Sequence, residues 1–157
     1  MRKEETVAGQ TEWVLTANAA ECRIFEHDKK FAPLEPVRDL EWPEGRLQAR
    51  DLYADKPGRA FDSAGQGRHA MERTTDPHDE ALGRFAREIA RVLDEAQQRG
   101  AYQRLIISAA PRLLGVLREV LTPAVRQRVL AEFDKDLTAS DARELADWLR
   151  RELWEKS

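Results

Sequence analysis

Three strand-like segments, followed by alternating helix and strand, predict an α/β domain with three layers, αβα, around a mixed sheet of about five strands. Two observations carry this. Leu105, Ile106 and Ile107 are consecutive aliphatics, the mark of a strand covered on both faces. The order strand, helix, strand after residue 103 then implies a parallel pair joined by a crossover, added to an antiparallel meander.

The elements follow in order. Met1 to Gln10 is polar and reads as a disordered tail, with a single domain from 11 to 155. Glu12 to Asn18 is a short strand with an apolar centre, and Cys22 to His27 is its hairpin partner. Leu34 to Trp42 is a third strand, and Pro36 places it at an edge, because proline cannot donate to a ladder. Asp76-Pro77 is a helix start, with Asp79 and Glu80 at the positive end of the dipole. Leu82, Phe85, Ile89, Val92, Leu93 and Ala96 form one stripe, and Gly100 ends the helix. Gln103 to Ala109 is the buried strand, and Pro111 opens the next helix. Thr122-Pro123 breaks that helix, and Arg128 to Phe133 is the last strand. Thr138 is expected to cap the final helix, with Asp141 three residues on and Leu145, Trp148, Leu149 and Leu153 facing inward.

Between strands and helices lies Pro43 to His78, which holds four of the eight glycines and charges of both signs. A compact domain rarely carries so long a connection without secondary structure unless it is functional or disordered. The activity is therefore expected here, with the rest as scaffold.

Composition narrows the setting. The 157 residues carry a net charge of -3, too mild for a general polyanion binder. The single cysteine, Cys22, excludes an internal disulfide and fits a reducing compartment. The N-terminus lacks the apolar run of a signal peptide, and no run approaches a membrane span. A cytoplasmic protein is expected.

Several segments read together carry a resemblance. Trp13-Val14-Leu15 to Arg23-Ile24-Phe25 comes first, then Asp55-Lys56-Pro57-Gly58-Arg59 and Phe61-Asp62-Ser63. Gly67-Arg68-His69 and Thr75-Asp76-Pro77-His78 precede Phe85-Ala86-Arg87-Glu88-Ile89-Ala90. Ala109-Ala110-Pro111-Arg112-Leu113-Leu114-Gly115 and Lys135-Asp136-Leu137-Thr138 follow. In this order, from about Trp13 to Leu153, the set resembles the bacterial host attachment proteins, described as required for attachment to host cells. That family is similar to the middle domain of archaeal and eukaryotic peptide release factors. The resemblance implies a ribonuclease-H-like fold.

Four groups of residues bear on chemistry. Gly65-Gln66-Gly67 lies near the place of the release factors' Gly-Gly-Gln loop, where glycines admit a crowded tRNA end; Ala64 stands before it, and the plainer reading is a linker that contains glutamine. Pro57-Gly58 is a turn that would hold Lys56 and Arg59 at its rim to grip a phosphate or carboxylate; otherwise Asp55 and Asp62 neutralise a solvated turn. A two-metal nuclease needs several converging carboxylates. The first strand has none inside it, Asn18 at its end is a neutral amide, and Asp134 with Asp136 is only a pair, so no metal and no cofactor are expected. His27, His69 and His78 show no zinc spacing and read as surface or capping residues. Finally, the segment from Arg99 to Arg128 carries six arginines against Glu119 alone, a face that would follow RNA or simply stay wet.

These features weigh against an enzyme. They predict a non-enzymatic protein that binds a partner through its long loop and affects attachment indirectly. The candidate contact residues are Asp55, Lys56, Gly58, Arg59, Gln66, Arg68, His69, Arg112 and Arg118. The alternative is a ribosome- or tRNA-associated factor with peptidyl-ester hydrolysis. A monomer or weak dimer is expected.

Overall fold

A computed structural model describes residues 11–28, 32–46 and 77–156. Five strands form one sheet: β1 (Glu12–Ala17), β2 (Glu21–His27), β3 (Glu35–Glu41), β4 (Arg104–Ala109) and β5 (Val129–Phe133). Their order across the sheet is β3-β2-β1-β4-β5. β1 pairs antiparallel with β2, and β2 with β3, while β1–β4 and β4–β5 are parallel. This is the meander joined to a parallel set that the sequence predicts, in a three-layer, ribonuclease-H-like arrangement.

The helices start and stop where local chemistry directs. Helix α1 (Pro77–Gln98) ends in a Schellman motif: Gly100, at φ 73°, donates to the Gln97 carbonyl at 3.1 Å, and Ala101 N–H to Ala96 O at 2.9 Å. Helix α2 (Pro111–Val120) and the single turn α3 (Pro123–Arg126) each begin on proline, where a missing N–H costs nothing. The last helix departs from expectation. α4 (Ala142–Glu152) is capped by Asp141, which accepts from Glu144 N at 2.8 Å and donates its own N–H to Glu144 Oε1 at 2.9 Å. Thr138 is instead turned back toward the sheet, because a partner there competes for its hydroxyl. A 3-10 turn (Trp154–Lys156) closes the described chain.

Burial follows strand alternation. Leu105 and Ile107 join Trp13, Leu15 and Ile24 beneath Phe85, Ile89 and Leu93 of α1 and Leu113 and Leu117 of α2. Ile106 faces the other way, with Val14 and Phe25, against Leu145 and Leu149 of α4 and Trp154. Each such side chain contributes about 1.5–3 kcal/mol when removed from water. Pro36 sits on the edge strand β3, at an irregularity opposite Ile24 and Phe25, as a proline there requires. Residues 43–46, read from sequence as the start of the loop, form a helical turn. The core cysteine, Cys22, is buried, which pushes its thiol far above the usual range.

Candidate functional site

In an open α/β sheet, ligands meet the crevice outside the carboxyl ends of the parallel strands. Here β1, β4 and β5 deliver Asn18, Ala110 and Asp134 to that rim. Asn18 is its centre. Its Oδ1 accepts from Ala20 N at 2.8 Å and Glu21 N at 3.0 Å, closing the β1–β2 turn. Those two donors fix the amide's orientation, so Nδ2 points the other way. It donates to Asp136 Oδ2 and Thr138 Oγ1, both at 3.0 Å. Thr138 returns two hydrogen bonds to Asp136 Oδ1, from its N–H at 3.0 Å and its hydroxyl at 2.6 Å. Arg23 donates to the Thr138 carbonyl at 3.1 Å, and Ser108 Oγ to the Lys135 carbonyl at 2.8 Å.

Burial raises the Asp136 carboxyl, but the Thr138 and Asn18 hydrogen bonds outweigh it and hold the carboxyl below the usual aspartate range. A carboxylate at position 18 would face Asp136 at hydrogen-bonding distance, where like charges repel. The donor set is thus built to lock the segment after β5 onto the β1–β2 turn. It does not gather carboxylates around a cation. Asp134 and Asp136, which the sequence allows to share a face, are separated: Asp136 binds Asn18, whereas Asp134 lines an open groove of about 370 Å3 with Pro111, Leu114, Arg118, Glu132 and Phe133.

The same rim holds both ends of the 47–76 connection. On the outgoing side, Trp42 N–H donates to Ala20 O at 2.7 Å, and the Trp42 ring stacks on Phe85 with centroids 5.1 Å apart. Glu44 pairs with Arg84 of α1. Gly45 lies so close to the β1–β2 turn that a Cβ would come within 2.0 Å of Ala19 O. On the returning side, Asp79 in the first turn of α1 pairs with Arg112 at the start of α2. Gly45→Ala is therefore expected to cost about 1–3 kcal/mol, because the obstacle is backbone and one element must move. Gly115→Ala, whose Cβ meets nothing within 4 Å inside α2, is expected to stabilise by about 1 kcal/mol. Thermal unfolding of the two variants checks this contrast.

Of the candidate contact residues, Asp55, Lys56, Gly58, Arg59, Gln66, Arg68 and His69 lie outside the described residues. Arg112 and Arg118 are described, and each is engaged by a carboxylate: Arg112 by Asp79, and Arg118 by Glu132 at 2.8 Å. Exposed pairs of this kind contribute about 0–1 kcal/mol and open readily. The structure adds Asn18, Arg23 and Thr138 to the rim; the sequence marks Asn18 there only as a neutral amide at the end of the first strand, and Thr138 only as a helix cap.

A second polar cluster lies at the opposite end of the sheet. His27, expected at the surface, is 5% exposed. Its ring lies 4.9 Å from that of Trp154, and its Nε2 is 3.6 Å from Glu12 Oε2. A cavity of about 400 Å3 opens beside it, lined by Thr11, Glu26, Asp28, Ala32, Pro33 and Glu35. Among the described residues, no group of three or more His, Cys, Asp or Glu could hold a metal, and no helix is long and apolar enough to cross a membrane.

A family model described as "Protein required for attachment to host cells" matches residues 13–149. No curated protein matches significantly. Among solved structures, an "Archaeal protein" is similar at 11% identity and a TM-score of 0.47, over 98% of this chain and 40% of its own. The chain therefore spans less than half of that structure's length.

Proposed function

We propose that this protein, which belongs to the family of proteins required for attachment to host cells, is a non-enzymatic cytoplasmic binding protein. Residues 11–155 act as one domain. Its partner is a protein, held by residues 47–76 together with the rim from which they spring. Asp55, Lys56, Arg59, Gln66, Arg68 and His69 supply the contacts, and Arg112 sits where the connection returns. The effect on attachment is indirect.

One observation supports this above the others. Both flanks of the 47–76 connection are tied down at the carboxyl rim, through Gly45 against Ala19 and Asp79 against Arg112. A long segment fixed at both ends presents its side chains at lower entropic cost than a free tail. The rim itself is closed by Asn18, Asp136 and Thr138, which suits a rigid platform better than a reaction centre.

The test is complementation. Cells lacking the protein are supplied with the native chain or with one whose residues 47–76 are replaced by about eight Gly/Ser residues. The replaced chain is expected to fold and accumulate normally, and to leave attachment unrestored. Full attachment by that chain would reject the loop as the binding element. Lys56→Ala with Arg59→Ala is expected to reproduce most of the loss.

A further inference from the structure

Three polar side chains stand in one row across the sheet. Thr16 of β1 is in register with Arg23 of β2 and with Ser108 of β4. Alternation puts all three on the face of Val14 and Ile106, the α4 side. Residues 135–138, which lead from β5 toward α4, cross this row. At one end the Lys135 carbonyl accepts from Ser108 Oγ at 2.8 Å, and at the other the Thr138 carbonyl accepts from Arg23 at 3.1 Å. Asp136 and Leu137 therefore pass over Thr16, which is 1% exposed.

The contacts across this junction have one polarity. The sheet supplies donors: the Ser108 hydroxyl, the Arg23 guanidinium and, at the end of β1, the Asn18 amide. The crossing segment supplies acceptors: two carbonyls, the Asp136 carboxylate and the Thr138 hydroxyl. The match is incomplete, because Thr16 Oγ1 is buried with no hydrogen-bond partner among the described residues. An orphaned hydroxyl of this kind penalises the closed arrangement. Asp39, on β3, lies 3.8 Å from Arg23 Nε, which leaves the guanidinium other donors to offer. The cover is lightly anchored, for Lys135 and Asp136 are exposed and Leu137 is half-buried.

We propose that residues 135–138 form a strap over a site for a phosphate group, centred on Thr16 at the carboxyl ends of β1 and β4. With the strap lifted, Arg23, Thr16, Ser108 and Asn18 stand together as donors, and the Asp136 carboxylate leaves with the strap. Neighbouring strands lie about 4.8 Å apart, so Ser108 and the long Arg23 side chain both reach an ion seated over Thr16. Phosphate oxygens replace the acceptors that the strap withdraws, and the Thr16 hydroxyl gains the partner it lacks. Phosphate suits this set better than a carboxylate does, since its additional oxygen serves the hydroxyls while two others take the guanidinium fork. The closed strap is the rigid rim described above, and the phosphate-bound form is its open alternative. Because only the open fraction binds, the apparent affinity is weak, on the order of millimolar.

Titration of the full chain with inorganic phosphate, against chloride at equal ionic strength, tests this by amide NMR. The native chain is expected to show saturable shifts confined to residues 16–23, 108 and 134–138. Asp136→Ala weakens the strap and is expected to tighten binding about tenfold. In that background Arg23→Gln is expected to weaken binding about tenfold or more, by removing the charged donor. Thr16→Val separates the site from a packing defect: it is expected to raise the melting temperature without phosphate and to reduce phosphate binding. Circular dichroism checks folding, and Arg23→Lys or Thr16→Ala replaces a variant that fails it. Methyl phosphate is titrated in parallel. Equal binding of both assigns the site to a terminal phosphate on a larger molecule, and binding of phosphate alone assigns it to the free ion. Absence of saturable binding by both the native chain and Asp136→Ala overturns the proposal. So does binding that the Arg23 and Thr16 variants leave unchanged, or shifts centred elsewhere.

Discussion

Glu12→Ala is expected to lower folding stability by about 3–5 kcal/mol, the usual cost of breaking a buried charge cluster from one side. Glu12 is 2% exposed and opens β1 with His27 and Arg104 as its direct partners on the two flanking strands. Its Oε1 lies 3.3 Å from Arg104 Nε and its Oε2 3.6 Å from His27 Nε2, so one carboxylate bridges three strands. Removing it leaves the Arg104 charge, which cannot deprotonate, against the vacated space. For a domain of this size the melting temperature should fall by roughly 10 °C.

The pH dependence separates charge from packing. Burial raises the Glu12 carboxyl, but His27 and Arg104 more than offset it, and its folded value lies below the ordinary one. A depressed carboxyl contributes stability above its unfolded pKa of about 4.3, and that contribution is lost as pH falls through the folded value. The stability difference between the native chain and Glu12→Gln should therefore be full at neutral pH and shrink on acidification below about pH 4. Urea titrations at neutral and acidic pH measure it. An unchanging difference would mean that the charge of Glu12 contributes nothing.

Asn18→Asp is the second large effect, expected to cost about 2–4 kcal/mol. The backbone donors of Ala20 and Glu21 keep one side-chain oxygen where Oδ1 now sits. The other would replace Nδ2, exchanging donation to Asp136 and Thr138 for repulsion from the Asp136 carboxylate. In such a pair one carboxyl is raised above its unfolded pKa. Its cost is present at neutral pH and disappears as acid protonates the pair, so the variant should recover toward native stability on acidification. Thermal unfolding across that pH range tests this. Equal stability of variant and native chain at neutral pH would mean that the amide does not hold the rim.

The two residues expose a common limit on sequence reasoning. Asparagine after a strand announces a turn, and that half of Asn18's role was legible. The other half reaches Asp136 and Thr138, 118 and 120 residues away. Likewise, Thr138 and Asp141 are both plausible helix caps by local rule. Asp141 holds the cap, since Asn18 and Asp136 occupy the Thr138 hydroxyl. His27, without zinc spacing to the other histidines, reads in the sequence as a surface or capping residue. It is buried because Trp154, from the far end of the chain, covers it. Charge alone marks Arg112 and Arg118 in the sequence, and only the fold supplies Asp79 and Glu132 as their partners.

By itself the sequence determined what depends on residues within a turn or two. Prolines start α1, α2 and α3, Gly100 closes α1, Leu105 to Ile107 makes a strand buried on both faces, and Pro36 confines β3 to an edge. These effects are local steric and hydrogen-bonding preferences, so distance along the chain does not blur them. The tertiary structure alone decided the composition of the rim and of the Glu12 cluster. Both are built from residues that become neighbours only when β1 lies between β2 and β4, and no local preference encodes which distant side chain will stand across that gap.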